Sequence, residues 1–244
     1  DEGIIALVGA TGGIGQALAR TLAGSGWRLH LGARAGDRLE SLAQELGASW
    51  STVDATDFGA VEAFLDQAVE HGGRLAGAAC LAGSILLKPA HRTSAEELSE
   101  TLDGNLKTAF AVTRAGAARM RKSGGSIVLV ASAAAQIGLA NHEAIAAAKA
   151  GVAGLARSAA ATYAKQGVRV NAVAPGLVNT PGTKRIFENE QAVKASLAMH
   201  PLGRLGEPED VAGVVAWLLT EASTWISGQV ITVDGGLSGL KRGA

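Results

Sequence analysis

The sequence is poor in the features that mark several classes of protein. Cys80 is the only cysteine among 244 residues, so no disulfide can form within the chain. The 22 basic residues balance the 22 acidic ones, which argues against nucleic acid or an anionic membrane surface as a main partner. No apolar run reaches membrane-spanning length, and no segment has the pattern of a signal peptide. We therefore expect a cytoplasmic protein whose partner is a small molecule.

Apolar residues, in contrast, are abundant, at 48% of the chain against 18% charged. Short apolar runs alternate with longer segments of helical period, a pattern typical of a parallel sheet with helices on both faces. The expected strands are 4–8, 28–33, 49–53, 75–81, 126–131, 168–173 and 229–233. The expected helices are 13–24, 37–46, 57–70, 94–122, 142–166 and 208–220, with a short one near 184–198. The prediction is one α/β domain over residues 1–244, with a doubly wound parallel sheet of about seven strands.

A glycine-rich turn follows the first expected strand and opens the first expected helix. Glycines let the backbone turn sharply and approach a pyrophosphate, and the start of a helix offers unpaired amides to the anion. A turn of this kind without a ligand is the alternative, but its position favours a dinucleotide site in a Rossmann-type sheet. The residues expected to bind the cofactor there are Gly9, Thr11, Gly13, Ile14 and Gly15.

The end of the second strand bears on the choice of nicotinamide cofactor. An acidic residue there would bind the ribose 2′-hydroxyl of NAD. This chain instead has Ala33 followed by Arg34, whose guanidinium suits a 2′-phosphate, and Arg38 adds a second positive charge. The sequence therefore favours NADP(H) over NAD(H). Asp37 counts against this interpretation, and a solvated loop is the alternative.

Three polar residues occur at informative positions and spacings. Asn105 lies within the long expected helix, Ser132 follows the fifth strand, and Lys149 lies in the next helix. Ser132 precedes Ile145 by thirteen residues, which resembles the spacing between the serine and the catalytic tyrosine of the short-chain dehydrogenase/reductase family. The family pattern Tyr-x-x-x-Lys is thus Ile-Ala-Ala-Ala-Lys here. Further segments that resemble the family, and its carrier-protein-reductase-like members most, are 171–176, 201–204, 206–210, 228–229 and 233–236.

The resemblance implies an NAD(P)-dependent oxidoreductase that moves a hydride to or from a small carbonyl or alcohol substrate. In it, Ser132 polarises the carbonyl, Asn105 relays protons through water, and Lys149 takes part in proton transfer while holding the nicotinamide ribose. No metal is expected. The other cofactor contacts that the resemblance implies are Asp54, Ala55, Ala82, Gly83, Pro175, Gly176 and Thr180.

Two departures from the family pattern occur at the ends of the first and fourth strands. Val8 and Cys80 are both apolar, where the family commonly has a threonine and an asparagine. Replacing both members of a buried polar pair can be nearly neutral, so we expect Cys80 to be a core residue. Asp57, which precedes the third helix, is expected to cap it.

Ile145 leaves the proton donor unidentified, because an aliphatic side chain cannot give or take a proton. His142 is one candidate, since residues 142, 145 and 149 follow helical spacing and share one face. If Asn141 caps the helix, His142 lies in the first turn, where the helix dipole favours a neutral ring. The alternative is a histidine that lines the substrate mouth without transferring a proton.

Two other functions stay open. Reduction of a conjugated carbon–carbon double bond could take its proton from water while Ser132 steadies the enolate oxygen. A non-catalytic chain could bind NADP(H) as a sensor or as the partner of an active subunit. Substrate contacts are expected from 84–88, 136–142 and a lid over 177–200. Lid residues that could meet an anionic or carrier-linked substrate include Lys184, Arg185 and His200, and a solvated lid is the alternative.

The expected helix 142–166 is rich in alanine and has little polar surface over its first half. A helix that is apolar on most sides should be buried on most sides. One face can cover the sheet and another can pack on a second copy, as in the family. We therefore expect a homo-oligomer, a tetramer or a dimer.

Overall fold

Seven strands form one parallel sheet in the computed structural model, which describes residues 3–240. The strands are β1 (Ile4–Val8), β2 (Arg28–Ala33), β3 (Ser49–Thr52), β4 (Leu75–Cys80), β5 (Gly125–Val130), β6 (Val168–Pro175) and β7 (Val230–Val233). Their order is β3-β2-β1-β4-β5-β6-β7, and every neighbouring pair is parallel. The chain reverses its direction of winding between β1 and β4, which leaves a crevice at the carboxyl ends of the strands. The predicted single-domain, doubly wound α/β fold is confirmed.

Helices cover both faces of the sheet. They are α1 (Gly13–Gly24), α2 (Gly36–Leu46), α3 (Phe58–Gly72), α4 (Ala95–Leu102), α5 (Thr108–Met120), α6 (Glu143–Tyr163), α7 (Lys184–Phe187), α8 (Glu190–Met199) and α9 (Pro208–Leu219). Successive β1 side chains point to opposite faces: Ile4 packs in the cluster with α3, α5 and α6, and Ile5 in the cluster with α1, α2 and α9. Because both faces are buried, the central strands are continuously apolar rather than alternating.

The predicted helix 94–122 is divided by a π-helical turn over Asp103–Lys107. At its end the amide of Thr108 donates to the carbonyl of Asp103, five residues back. Asn105 lies inside this turn and is buried. Such turns occur often at functional sites, because the extra residue redirects a side chain without ending the helix.

The predicted helix near 184–198 consists of two helices, α7 and α8. Asn189 separates them because its side chain accepts a hydrogen bond from the amide of Ala192 at 3.0 Å and so begins α8. The prediction of Asp57 as a cap is confirmed: its carboxylate accepts from the amides of Gly59 and Ala60 at 2.7 and 3.1 Å.

Asn141 does not cap α6, so the condition that would place His142 in the first turn is not met. The N-cap is His142, whose side chain makes no capping hydrogen bond, and the helix begins at Glu143. Asn141 has a φ of 63°, a left-handed conformation that asparagine tolerates better than most residues. It therefore turns the chain before the helix instead of holding the first amides. Among residues 3–240, no helix combines the length and apolar character that crossing a bilayer requires.

Candidate active site

The turn between β1 and α1 depends on glycine at two positions. Gly9 has a φ of 89°, and a Cβ there would lie 2.6 Å from the amide nitrogen of Ala82. A Cβ on Gly15 would lie 2.3 Å from the carbonyl oxygen of Gly9. The N-cap of α1 is Gly12, which has no side chain to occupy the first amides, and the first turn has no acidic residue. The start of α1 is therefore ready to bind an anion.

A cavity of about 460 Å³ lies at the carboxyl ends of the strands. The predicted site residues that line it are Gly13, Ile14, Gly15, Ala82, Gly83, Asn105, Ser132, Lys149, Pro175, Gly176 and Thr180. The other lining residues are Gly12, Leu81, Ser84, Ile85, Val130, Ala131, Ile145, Val178, Gly182 and Thr183. One space thus joins the glycine-rich turn to the residues expected to carry the reaction.

Other predicted cofactor residues lie next to this cavity rather than on its wall. Arg34 and Asp54 follow β2 and β3, which are neighbours, so both lie at the same edge of the sheet. Hydrogen bonds from the amide and hydroxyl of Thr56 lower the pKa of Asp54, and the charge of Arg34 lowers it further. Ala55 is buried beside them, and the Thr11 carbonyl accepts from the Gln16 side chain at 3.0 Å.

Ser132 lines the cavity. Its Oγ accepts a hydrogen bond from the amide of Ala134 at 3.2 Å, in the short turn that follows β5. This bond does not use the hydroxyl proton, so Ser132 can donate it to a substrate. A donor fixed in this way can stabilise negative charge that develops on a substrate oxygen.

Lys149 reaches the cavity from α6 and is only 7% exposed. Its Nζ donates to the carbonyl of Val130, at the end of β5, at 2.7 Å. Burial lowers the pKa of Lys149 to about 8. An amine with this pKa can exchange a proton near neutral pH, which a solvent-exposed lysine does poorly.

Asn105 is held by a second cavity residue, Ser84. The Asn105 Nδ2 group donates to the Thr101 carbonyl at 2.9 Å and to Ser84 Oγ at 3.2 Å, while the Ser84 amide donates to Asn105 Oδ1 at 3.3 Å. The sequence placed Ser84 only within a range of substrate contacts. The signal in the sequence that could have identified Ser84 is its position directly after Ala82 and Gly83. The π turn that brings Asn105 against Ser84 cannot be predicted from apolar periodicity.

Ile145 lies where the resemblance expects the phenol. Its side chain is 5% exposed and lines the cavity, one turn before Lys149 on α6. His142, the candidate substitute, is not among the residues that line the cavity. Its Nδ1 lies 2.7 Å from the carbonyl of Ala140, on the loop before α6. The structure therefore brings Ser132, Asn105 and Lys149 together with an aliphatic wall, and leaves His142 outside.

Comparison with known proteins identifies this arrangement. Residues 9–238 match a family model described as enoyl-(acyl carrier protein) reductase. The chain belongs to the short-chain dehydrogenase/reductase family. It is 37% identical to cis-4-hydroxycyclohexanecarboxylate dehydrogenase of Sinomonas cyclohexanicum, over 98% of each chain. It is 35% identical to a 3-oxoacyl-[acyl-carrier-protein] reductase of Thermotoga maritima, over 97% of this chain and 98% of that one.

The structural comparison agrees with the sequence comparison. A solved short-chain type dehydrogenase/reductase from Mycobacterium ulcerans superposes with a TM-score of 0.92 at 30% identity, and the match covers 96% of this chain and 89% of that one. This short-chain dehydrogenase/reductase is therefore an oxidoreductase, and its family binds a nicotinamide cofactor.

Two positions at which this short-chain dehydrogenase/reductase departs from the family pattern meet in the sheet. Val8 on β1 and Cys80 on β4 are partners in register, and the amide of Leu81 donates to the Val8 carbonyl at 2.8 Å. Cys80 is 2% exposed and packs in the core, so the prediction of a core cysteine is confirmed. Burial raises the pKa of its thiol, which keeps it neutral.

His200, one of the lid residues that could meet an anionic substrate, is bound inside the fold at the end of the lid segment. It is 2% exposed, its Nδ1 lies 2.7 Å from the carbonyl of Ser196, and the amide of Leu177 donates to Nε2 at 3.3 Å. The ring thus joins the end of α8 to the segment that follows β6. Its burial and the backbone bonds of both ring nitrogens count against a substrate contact, which stays untested.

Proposed function

We propose that this chain is an NADP(H)-dependent oxidoreductase that transfers a hydride to or from a small carbonyl or alcohol substrate, with a proton donor other than residue 145. One observation carries the proposal: a single cavity connects an anion-binding helix start to Asn105, Ser132 and Lys149. Nucleotide binding alone would require the lysine but not the serine or the asparagine.

The lining of the cavity supports a dinucleotide as its ligand. The start of α1 would bind the pyrophosphate, Lys149 would hold the nicotinamide ribose, and Thr180 would bind the carboxamide. A Cβ on Gly13 would lie 2.9 Å from Thr180 Cγ2, so a side chain there would narrow the passage between the turn and β6. When bound, the cofactor supplies or accepts the hydride.

The preference for NADP(H) rests on charge at the end of β2. Ala33 is buried and offers no carboxylate, whereas Arg34 is exposed beside the nucleotide side of the sheet. The nearby carboxylate of Asp54 is already bound to Thr56 at 2.8 and 2.9 Å. A guanidinium pairs with a phosphate through charge-assisted hydrogen bonds, each contributing about 1.5–3 kcal/mol.

Calorimetry with NADPH and NADH tests this preference. We expect tighter binding of NADPH, and the substitution Arg34→Ala should weaken it by about tenfold or more while changing NADH binding by less than about threefold. Arg121→Ala is the matched control, since it removes an exposed arginine between α5 and β5, at the opposite, amino end of the strands. Tighter binding of NADH than NADPH by the parent chain would overturn the preference.

A substrate screen tests the reaction. With Ser132 to polarise an oxygen, we expect ketones or aldehydes to accelerate NADPH oxidation, and the loss of this activity in Ser132→Ala. The second candidate, reduction of a conjugated double bond, is favoured by the aliphatic Ile145 and by the description of the matched family model. Turnover with enones alone would select it. Tight NADPH binding without any turnover would instead indicate a non-catalytic sensor or partner subunit.

We also propose a homo-oligomer, a dimer or a tetramer. Small residues on the outer side of α6, Ala147, Ala150 and Gly154, are exposed, and Phe110 on α5 is 48% exposed. Close packing of a second copy against this side would bury them. Light scattering on the parent and on Gly154→Arg checks this: a smaller mass is expected for the variant. The cytoplasmic location remains a prediction.

A further inference from the structure

Two threonines on the segment that follows β6 form a hydrogen-bonded pair on the cavity wall. Thr180 precedes the short 3₁₀ turn Pro181–Thr183, Thr183 ends that turn, and both residues line the cavity. Their Oγ1 atoms lie 3.1 Å apart, and the amide of Thr180 donates to Thr183 Oγ1 at 3.0 Å. Thr183 is only 8% exposed, whereas Thr180 is half-buried. Thr180 is therefore the member of the pair that has more surface available to a ligand.

The proton of the Thr183 hydroxyl has a defined place. Thr183 Oγ1 lies 2.6 Å from the carbonyl oxygen of Val178 and 3.1 Å from that of Thr180. A carbonyl oxygen only accepts, and two oxygens come this close only with a hydrogen between them, so Thr183 donates to the backbone. Its two lone pairs then face the amide and the hydroxyl of Thr180. The whole hydrogen-bonding capacity of Thr183 is thus used inside the protein.

The bonds of Thr183 determine what the Thr180 hydroxyl can do. Because Thr183 has no second proton, the contact between the two hydroxyls requires Thr180 as its donor. A hydroxyl oxygen has two lone pairs, and the reciprocal cap of the turn directs one of those on Thr180 at the amide of Thr183. Among residues 3–240, no other donor lies within hydrogen-bonding distance of Thr180 Oγ1. Thr180 is therefore left with an acceptor, and with no proton, for a ligand in the cavity.

Packing keeps the Thr180 side chain in this orientation. A Cβ on Gly13 would lie 2.9 Å from Thr180 Cγ2 and 3.0 Å from Thr180 Cβ, so the threonine methyl group already lies against the start of α1. A change of rotamer would remove the methyl group from this contact and would break the bond to Thr183. The hydroxyl of Thr180 thus stays beside Thr183.

We infer that Thr183 is a positioning residue that holds the Thr180 hydroxyl as a hydrogen-bond acceptor, and that Thr180 thereby selects the NH2 group of the nicotinamide carboxamide over its oxygen. The inference rests on the proposed function, in which Thr180 binds this carboxamide. A carboxamide has a donor end, the NH2 group, and an acceptor end, the carbonyl oxygen. Because Thr183 occupies the only hydroxyl proton of Thr180, Thr180 pairs with the donor end alone.

Two analogues of NADP⁺ separate the two ends of the carboxamide. The thionicotinamide analogue keeps the NH2 group and has sulfur, a weaker acceptor, in place of the oxygen, whereas the acetylpyridine analogue keeps the oxygen and has a methyl group in place of NH2. In calorimetry with the unaltered chain, we expect the acetylpyridine analogue to bind about tenfold more weakly than the thionicotinamide analogue, because the acceptor on Thr180 loses its donor.

The same titrations show which of the two proposals fails. Equal affinities for the analogues, or the reverse order, would overturn the inference, while binding of NADP⁺ in that experiment would leave the proposed function intact. Binding of neither analogue nor of NADP⁺ would contradict the proposed function and the inference with it.

The substitution Thr183→Val tests the part that Thr183 plays. Valine is close to threonine in shape but has no hydroxyl, so the proton of Thr180 is released and can be donated to the acetyl oxygen. We expect the difference between the two analogues to shrink to within about threefold. A purely structural role of Thr183 would lower the affinity for both analogues equally and leave their ratio at the parental value, and that result would overturn the assignment.

Thr183→Ser is the matched control, because it retains the hydroxyl and should retain the parental ratio. Circular dichroism shows whether each variant is folded. If Thr183→Val does not fold, Thr180→Val on the half-buried member of the pair is the second variant: it removes the acceptor itself and should abolish the difference between the analogues. A parental ratio in folded Thr180→Val would show that another group recognises the carboxamide, which would overturn the inference.

Discussion

The two halves of the cavity are built in different ways. The nucleotide half is formed by backbone: at Gly9 and Gly15 even a methyl group would collide with a main-chain atom. The reacting half, around Ser132 and Lys149, is formed by individual side chains, and among them Ile145 is 5% exposed on the cavity wall. A substitution that moves the backbone would disrupt the whole turn, whereas one side chain on the cavity wall can be replaced without moving the backbone. We therefore expect substitutions in the nucleotide half to reduce cofactor affinity, and substitutions in the reacting half to alter the reaction alone.

The largest expected effect is a gain in the reacting half. Ile145→Tyr places a phenol one turn before Lys149, and we expect carbonyl reduction to rise by about 10²- to 10⁴-fold, the contribution of a positioned general acid. NADPH oxidation with the best ketone from the screen measures it. Ile145→Phe, with the same ring but no hydroxyl, should show no gain. An equal gain in both variants would assign the effect to cavity shape instead of proton transfer.

A loss in the nucleotide half is next in size. Gly15→Ala would set a Cβ 2.3 Å from the Gly9 carbonyl oxygen, so the turn must open. NADPH affinity should fall by about 100-fold, or about 3 kcal/mol, in calorimetry. The control is Gly24→Ala at the other end of α1, where a Cβ meets nothing within 4 Å. It should bind NADPH as the parent does, and a similar loss there would show that α1 as a whole, and not the turn, is sensitive.

An effect of similar size concerns β2, the strand that ends just before Arg34. His30 on β2 is fully buried between Ser49 Oγ at 2.8 Å and Ser51 Oγ at 3.1 Å on β3, and burial lowers its pKa to about 4. Between about pH 6.5 and 4 the unfolded chain therefore binds a proton that the folded chain does not. Stability should fall as pH falls across this window, by up to about 3 kcal/mol, and no further from this group below it.

Urea unfolding from pH 7 to 4 measures that loss. His30→Gln retains a polar amide that does not titrate, so its stability should decline less over the same window, whatever its stability at pH 7. A decline equal to that of the parent would exclude His30 as the cause. NADPH affinity should follow the same trend with pH if the edge of β2 and β3 positions Arg34.

The smallest expected effect is that of His142→Ala. The ring is bound to the Ala140 carbonyl and lies outside the cavity wall, so turnover should change by less than about twofold. Steady-state kinetics against the parent check this. A loss of turnover of about 100-fold, with NADPH affinity unchanged, would indicate that His142 is the proton donor.

Much of the fold could be predicted because local patterns determine it. The run Ile4–Val8 and the glycines after it define β1 and the turn without knowledge of the rest of the chain. The sequence also predicts that Ser132, Ile145 and Lys149 lie close together. Ser132 follows the end of one strand, and the other two residues lie one turn apart on the next helix. These are the cases in which sequence separation and spatial position are directly related.

Features that depend on distant partners could not be predicted. The apolar period of 94–122 continues through the π turn, so it does not reveal the extra residue that directs Asn105 toward Ser84. His200 is polar and lies in a lid segment, which favours an exposed side chain. It is instead buried, where the amide of Leu177, just after β6, donates to its ring. Asparagine is a residue type that often caps helices, but the left-handed backbone of Asn141 excludes that role.

The π turn also separates two helices with different attachment to the protein. Helix α5 buries nine residues against the sheet, whereas α4 buries only Thr101. Helix α4 is tied instead to the loop after β4 by the ion pair of Lys88 with Glu97. We expect amide hydrogens of α4 to exchange with solvent by local opening while those of α5 wait for global unfolding. Because the Thr101 carbonyl accepts from Asn105 Nδ2, opening of α4 would remove one support of Asn105 while the core behind it stays packed.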